Sequence, residues 1–369
     1  METDQTEKNI IKEINSQFHY FSSNNEYLDD VTNSKFSSIR TKNKTEIWSE
    51  WSKNIVNNLN KDNKILTNFR KTNYFITDVP GEMTKFKKII YKILNFLPSE
   101  LKKIDPKICM LEDLYDFLIS ENLQSLLEEN PSPTTGNPEL HYKNDVPFTQ
   151  RWIRHIWLLN LYNKFVKKNN IKTILDIGSN YGALPYLLKK NNNNLKFVLI
   201  DFPEALSTAK YFLIKELPKV KIASFNDLKN TKKINKELLE KYDFILLPCF
   251  WIKKLESNLI DLTINIASFN EMNRYWLNKY LNSEAFKTSK YIFLFNRFTR
   301  PAIEKKETPI DILDLKLDSY KKIYFDVSRL YKWDYTKRSY FLGIPFKFEK
   351  KVQEPVYEFI GKNLRKTYE

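Results

Sequence analysis

From residue 171 onward, short apolar runs alternate with stretches of helical periodicity, and this alternation constrains the fold of the 369-residue chain more than any other feature. KTILDIG, LKFVLIDF, VKIASF, YDFILLPCF and KYIFLFNR read as buried strands, with ALPYLLKKN and EALSTAKYFLIKEL as helices. Strands apolar on both faces and separated by helices predict an α/β fold, a doubly wound parallel sheet covered on both sides. KKIYFDVSRL, SYFLGIPFKF and VYEFIG read as strands closing one edge of that sheet in antiparallel fashion. Upstream the pattern is helical. TEIWSEWSKNIVNNLN, MTKFKKIIYKILNFL, LEDLYDFLISENLQSLLEEN and TQRWIRHIWLLNLYNKFVKK carry apolar residues at helical spacing, whereas residues 1–45 read as a polar, frayed terminus with a little helix. PSPTTGNPEL, residues 131–140, is the clearest break, because proline and glycine punctuate regular structure. The expected organisation is a helical N-terminal region, 1–140, followed by an α/β domain, 141–369.

The chain holds only six glycines, and two of them stand four apart where the first strand turns into a helix, in Asp176-Ile-Gly178-Ser179-Asn180-Tyr-Gly182. Open α/β sheets bind ligands outside the carboxyl ends of their strands. Glycine lets backbone approach a ligand closely there, because it has no Cβ. A dinucleotide loop would read G-x-G-x-x-G; here Asn180 holds the middle glycine position and an acid precedes the first. A carboxylate beside the loop repels a pyrophosphate and suits a ligand carrying a sulfonium and an amino group. Asp201 ends the second strand nineteen residues past Gly182. That is close to the ~20-residue offset at which a carboxylate holds ribose hydroxyls.

DIGSNYGALPYLL, followed by VLIDFPEAL, INIASFNEM and YIFLFNR, resembles the class I S-adenosylmethionine-dependent methyltransferases and, within them, the bacterial sugar O-methyltransferase family. That family shows an acid-Ile-Gly-Gly-Gly-Tyr-Gly loop, an Ile-Asp-Leu-Pro-Glu strand end and a Ser-Phe-x-Glu-Met segment. The resemblance spans residues 136–300. It implies a Rossmann-like methyltransferase sheet, S-adenosyl-L-methionine as cofactor, and methyl transfer to a hydroxyl of a saccharide or sugar nucleotide in surface-glycan (capsule or lipopolysaccharide) biosynthesis. Position by position, it implies that Asp176, Gly178, Ser179, Asn180 and Gly182 surround the methionine part of the cofactor. Asp201 would bind the ribose, Phe202 would pack near the adenine, and Ser224, Phe225 and Asn226 would contact the adenine ring. The chain departs from the family at Asn180 and at Cys249, where relatives place a histidine after the proline.

Methyl transfer from a sulfonium is an in-line displacement, so positioning supplies much of its rate. A sugar hydroxyl also needs a general base within hydrogen-bond reach. Three residues are catalytic candidates: His155, Glu271 and Arg297. His155 shares a helical face with Trp152 and Leu159, so it is either a base or a packed core histidine. Its neighbour Arg154 meets either the cofactor carboxylate or solvent. Glu271 is either a base or half of a capping box with Ser268, ahead of the helix MNRYWLNKYL. Arg297, ending KYIFLFNR, either orients a phosphate or carboxylate on the acceptor or faces solvent. Phe250 and Trp251 stack on a sugar or pack the core. Leu247-Pro-Cys-Phe250, counted as the end of the fourth strand, lacks the Asn/Asp/Ser-Pro-Pro-aromatic tetrad of amino-methyltransferases, which disfavours base methylation.

The net charge of +15 raises nucleic acid as a partner. Opposite charges interleave through residues 300–369, however, and the chain is crowded with Lys, Asn and Ile. A saccharide or sugar nucleotide is therefore expected, and no nucleic acid. The rival readings are a methyltransferase for nucleic acid or another small acceptor, and a non-catalytic cofactor-binding protein. Cys109 and Cys249 form neither a disulfide framework nor a zinc spacing, and no metal-ligand cluster is evident, so no metal is expected. Without a signal pattern or an apolar run near ~20 residues, no membrane span and a cytoplasmic location are expected. A homodimer stays open.

Overall fold

The computed structural model describes residues 5–23, 57, 61, 64–72, 106–272, 274–299, 310–330, 339–341, 344–346 and 355–364. The helices expected over 45–60 and 83–97 lie almost wholly outside the described residues. The chain divides into two packing units, one of residues 1–67, 162–327 and 356–369, the other of residues 68–161 and 328–355. The units interleave along the sequence.

The near-continuous apolar runs of the first unit become an eight-stranded sheet. In chain order its strands are β1 (Thr173–Ile177), β2 (Lys196–Asp201), β3 (Ile222–Ala223), β4 (Phe244–Pro248), β5 (Leu262–Ile266), β6 (Tyr291–Arg297), β7 (Tyr320–Val327) and β8 (Val356–Asn363). In space they follow the order β3-β4-β2-β1-β5-β6-β8-β7. Strands β1 to β6 are parallel, while β8 is antiparallel to both neighbours. The expected α/β sheet with an antiparallel C-terminal edge is thus present. Helices α1 (Gln5–Ser23), α2 (Ala183–Asn191), α3 (Pro203–Glu216) and α4 (Arg274–Leu281) belong to the same unit. Every residue of β4 is buried, as both-face burial of FILLP requires. Each such Leu or Ile contributes roughly 1.5–3 kcal/mol by leaving water.

Three expectations need correction. LTINI was not read as a strand, yet it is β5, beside β1 at the middle of the sheet. Its alternating polar residues hide it, and they are buried with partners: Thr263 Oγ1 lies 2.6 Å from Ser289 Oγ, and Asn265 Nδ2 donates to the Ile177 carbonyl at 2.7 Å. SYFLGIPFKF does not join the sheet. Its halves, Ser339–Phe341 and Ile344–Phe346, pair with each other as a separate hairpin, and β7 closes the edge. Finally, the terminus expected to fray carries the 19-residue helix α1. Ile10, Ile14 and Phe21 recur at helical spacing and are all buried.

In the second unit, PSPTTGNPEL is tied down rather than a free break. The fully buried Arg70 donates to the Pro133 carbonyl at 2.6 Å and to Ser132 Oγ at 3.0 Å, and its backbone N–H donates to the Gly136 carbonyl at 3.0 Å. The expected helix over 111–130 splits into Pro106–Ser120 and Gln124–Glu129. No helix among the described residues is long and apolar enough to cross a membrane.

Candidate functional site

The sheet builds outward from β1 in two directions, through β2 and β4 on one side and through β5 and β6 on the other. The carboxyl ends of β1 and β5 therefore flank the topological switch point, where open α/β sheets leave a crevice for ligands. The loop 176–182 lies at that point. Gly178 and Gly182 both have φ of +78°, the left-handed region that side chains disfavour. The Gly178 N–H donates to the Ile200 carbonyl at 2.8 Å, and the Gly182 N–H to the Ser179 carbonyl at 3.0 Å. Gly182 then caps α2.

Asn180 also sits in the left-handed region, at φ +54°. Asparagine tolerates that conformation because its short side chain bonds the local backbone. Here Asn180 Oδ1 accepts from the Tyr181 N–H at 2.7 Å, and the Asn180 N–H donates to Asp201 Oδ2 at 2.6 Å. Asn180 is thus a working replacement for glycine, and it ties the loop to the end of β2. The other Asp201 oxygen accepts from the Phe202 N–H at 2.7 Å.

Asp176 is 3% exposed, and no described residue donates a hydrogen bond to its carboxylate. Burial, with the charge of Asp201 adding to it, pushes its pKa up to about 8. Ser179 is 7% exposed, and its hydroxyl has no partner among the described residues. Two carboxylates and a buried hydroxyl without a partner thus converge on one left-handed loop. This constellation suits a cationic ligand, which would return Asp176 to its charged form.

Across the switch point, Asn265 at the end of β5 braces the site. Besides its bond to Ile177, its Oδ1 accepts from the Phe269 N–H at 3.1 Å and from Asn296 Nδ2 at 3.0 Å. Ser268 closes on Gly178 so tightly that a Cβ there would lie 2.5 Å from the serine Cβ. Of the capping-box alternative, the Ser268 half is not built: Ser268 makes no side-chain cap bond, the turn Phe269–Glu271 is 3-10, and α4 begins only at Arg274. The Glu271 side chain lies outside the described residues.

Leu247-Pro-Cys-Phe250 ends β4, which lies beside β2 and not beside β1. The strand flanking the glycine loop is β5, which ends Asn265-Ile-Ala-Ser268, so the tetrad comparison belongs there. That segment also lacks the Pro-Pro-aromatic part, and the Asn265 oxygen is already engaged. Counting strands in chain order misplaced the comparison, because the third strand in sequence is the outermost in space.

Ser224, Phe225 and Asn226 follow this outermost β3. Ser224 Oγ accepts from Lys210 Nζ at 2.8 Å, and Asn226 is exposed. Phe225 reaches the β4 end, where it stacks on Trp251 at 5.5 Å. Phe202 and Phe250 pack against the same buried cluster. At the end of β6, Asn296 is buried, while Arg297 is exposed and its backbone N–H donates to Asn270 Oδ1 at 2.8 Å.

Arg154 and His155 belong to the second unit. There His155 is buried, with its ring 5.9 Å from Trp152. Burial, reinforced by the charges of Arg154, Arg151 and Arg70, holds its pKa well below the usual histidine value, so the ring is neutral at pH 7. Sequence reasoning missed Asn265 and the steric role of Ser268. The alternation in DLTINI was the available signal for both.

No known protein family matches the sequence, and no curated protein matches it either. Solved structures similar to it include PH0226 protein from Pyrococcus horikoshii OT3, at 12% identity and a TM-score of 0.35 over 57% of this chain and 89% of the other. A SAM dependent methyltransferase from Aquifex aeolicus is similar at 16% identity and a TM-score of 0.31, over 55% of this chain and 89% of the other. The methyltransferase domain of bacterial-CtHen1-CN is similar at 12% identity and a TM-score of 0.34, over 58% of this chain and all of the other. The chemistry of the site therefore rests on its own residues.

Proposed function

We propose that the chain is an S-adenosylmethionine-dependent methyltransferase that alkylates a hydroxyl of a saccharide or sugar nucleotide. The observation that carries this reading is the pairing of Asp176 and Asp201 around a left-handed glycine loop at the switch point. A pyrophosphate meets the charge of Asp201 and keeps the buried Asp176 protonated, whereas a sulfonium with an α-amino group draws Asp176 into its charged form and is attracted by both carboxylates. When bound, the cofactor supplies an electrophilic methyl group. The protein's part is to hold it: Gly178, Asn180 and Gly182 line its path with backbone, Asp176 and the Ser179 hydroxyl face its polar end, and Asp201 takes the ribose. Asp201 has acceptor capacity left for this beyond its two backbone amides. The acceptor half of the reading, with transfer in surface-glycan synthesis, is supported by the motif order in sequence. The acceptor would lie toward the ends of β5 and β6, near Asn296 and Arg297, with Glu271 as the candidate base.

Calorimetry with S-adenosylmethionine, S-adenosylhomocysteine and NAD tests the cofactor half: the first two are expected to bind, and binding of NAD alone overturns it. Asp201→Ala should weaken the homocysteine form about 10- to 100-fold, since it deletes charge-assisted hydrogen bonds; an unchanged affinity would remove Asp201 from the site. Transfer of labelled methyl to a sugar-nucleotide or oligosaccharide hydroxyl tests the acceptor half, and label appearing only in RNA or DNA would replace it with the nucleic-acid reading.

A further inference from the structure

Asp201 lies opposite Pro248 in the β2–β4 register, so the residues following Pro248 begin directly beside the carboxylate assigned to the ribose. Over those residues lies the C-terminal end of α1. The Tyr20 ring is 5.3 Å from Phe225 and 6.0 Å from Trp251, and the Phe21 ring is 5.1 Å from Phe250 and 5.5 Å from Trp251. Three stretches of chain thus bring aromatic rings together beside the end of β4, and one of them comes from the far N-terminus. Further down the helix, Glu13 is 5% exposed and pairs with Lys210 of α3, whose ammonium also donates to Ser224 Oγ at 2.8 Å. A buried ion pair adds little net stability but fixes register, because every shifted arrangement leaves a charge unpaired. It therefore sets which residues of α1 meet the β4 end.

We propose, building on the cofactor reading above, that α1 is part of the cofactor site: Tyr20 and Phe21 wall the subsite for the adenine base, and the Glu13–Lys210 pair holds them in register. Aromatic faces suit this role because any base presents a π-face to stack on.

The test is titration of S-adenosylhomocysteine and of 5′-methylthioadenosine, which keeps the nucleoside and lacks the amino acid, into wild type, Tyr20→Leu, Phe21→Leu and Lys210→Met. Hydrogen exchange of residues 5–23 is followed with and without S-adenosylhomocysteine. Each ring replacement is expected to weaken both ligands by the same factor, about tenfold, and Lys210→Met to weaken both less. Exchange in α1 should slow on binding. Wild type that binds with no change in α1 exchange, together with unchanged affinity in both ring variants, overturns the proposal and leaves the cofactor reading standing. Wild type that binds neither ligand removes the cofactor reading itself. Tyr20 is only half-buried, so its variant keeps the test open if Phe21→Leu fails to fold.

Discussion

Asp176→Asn should leave the ligand-free protein more stable and its cofactor binding weaker, two effects of opposite sign from one carboxylate. The pKa of Asp176 rises from its ordinary 3.8 to about 8, first through burial and then through the charge of Asp201. Below pH 3.8 the group is protonated whether the chain is folded or not, and it has no effect on stability. As pH rises further, the unfolded chain ionises while the folded chain still holds its proton, so stability is lost progressively up to about pH 8 and levels off above it. At pH 7 the loss is about 4 kcal/mol. Asparagine removes the titration, so melts taken from pH 4 to pH 9 should show this decline in wild type and its absence in the variant. Binding a cationic cofactor should expel the proton. In wild type at pH 7, calorimetry in buffers of different ionisation enthalpy should report close to one proton released, and in the variant none. A buffer-independent wild-type enthalpy would refute this account of the carboxylate.

Gly178→Ala should be the most damaging small substitution in the loop. The residue is left-handed, which costs a side chain about 1–2 kcal/mol. Its new methyl would also lie 2.1 Å from Ser268 Oγ and 2.5 Å from Ser268 Cβ. The hydroxyl can rotate away, but the Cβ moves only with its backbone, so an overpacking cost of roughly 1–3 kcal/mol adds to the first. Urea unfolding should show a loss of about 3 kcal/mol, and adding Ser268→Gly should recover the steric part alone. Gly182→Ala is the control: it has the same φ, but its nearest neighbour is a Leu199 methyl at 3.4 Å, so only the conformational part of about 1 kcal/mol should appear. Equal losses at the two glycines would show that the contact with Ser268 is unimportant.

The loop, Asp201 and the parallel sheet were legible because each is written locally: an apolar run, then glycines, then an acid at a fixed offset. What was not legible depends on spatial order. β5 was missed because DLTINI alternates polar and apolar residues, as a half-exposed strand does, while here the polar members find partners inside the sheet. The fourth strand in sequence was assigned to the acceptor side because chain order stood in for spatial order. The length and burial of α1 were underestimated because its apolar residues are sparse and Glu13, a charge, is among its buried positions. Asn180 stood out in the sequence as a departure from glycine. Its left-handed φ and paired side chain show that asparagine supplies there what glycine would.

The placement of β8 has a consequence for how the molecule is assembled during synthesis. β7 meets the sheet only through β8, and β8 is the later of the two in sequence. A nascent chain that has emerged through β7 therefore has no strand to receive it, and β6 keeps an open edge for the time needed to translate the next 28 to 36 residues. Exposed strand edges of this kind template pairing with other chains. The final strand works as a keystone: a ribosome that stalls just short of it releases a chain missing not one strand of its sheet but two.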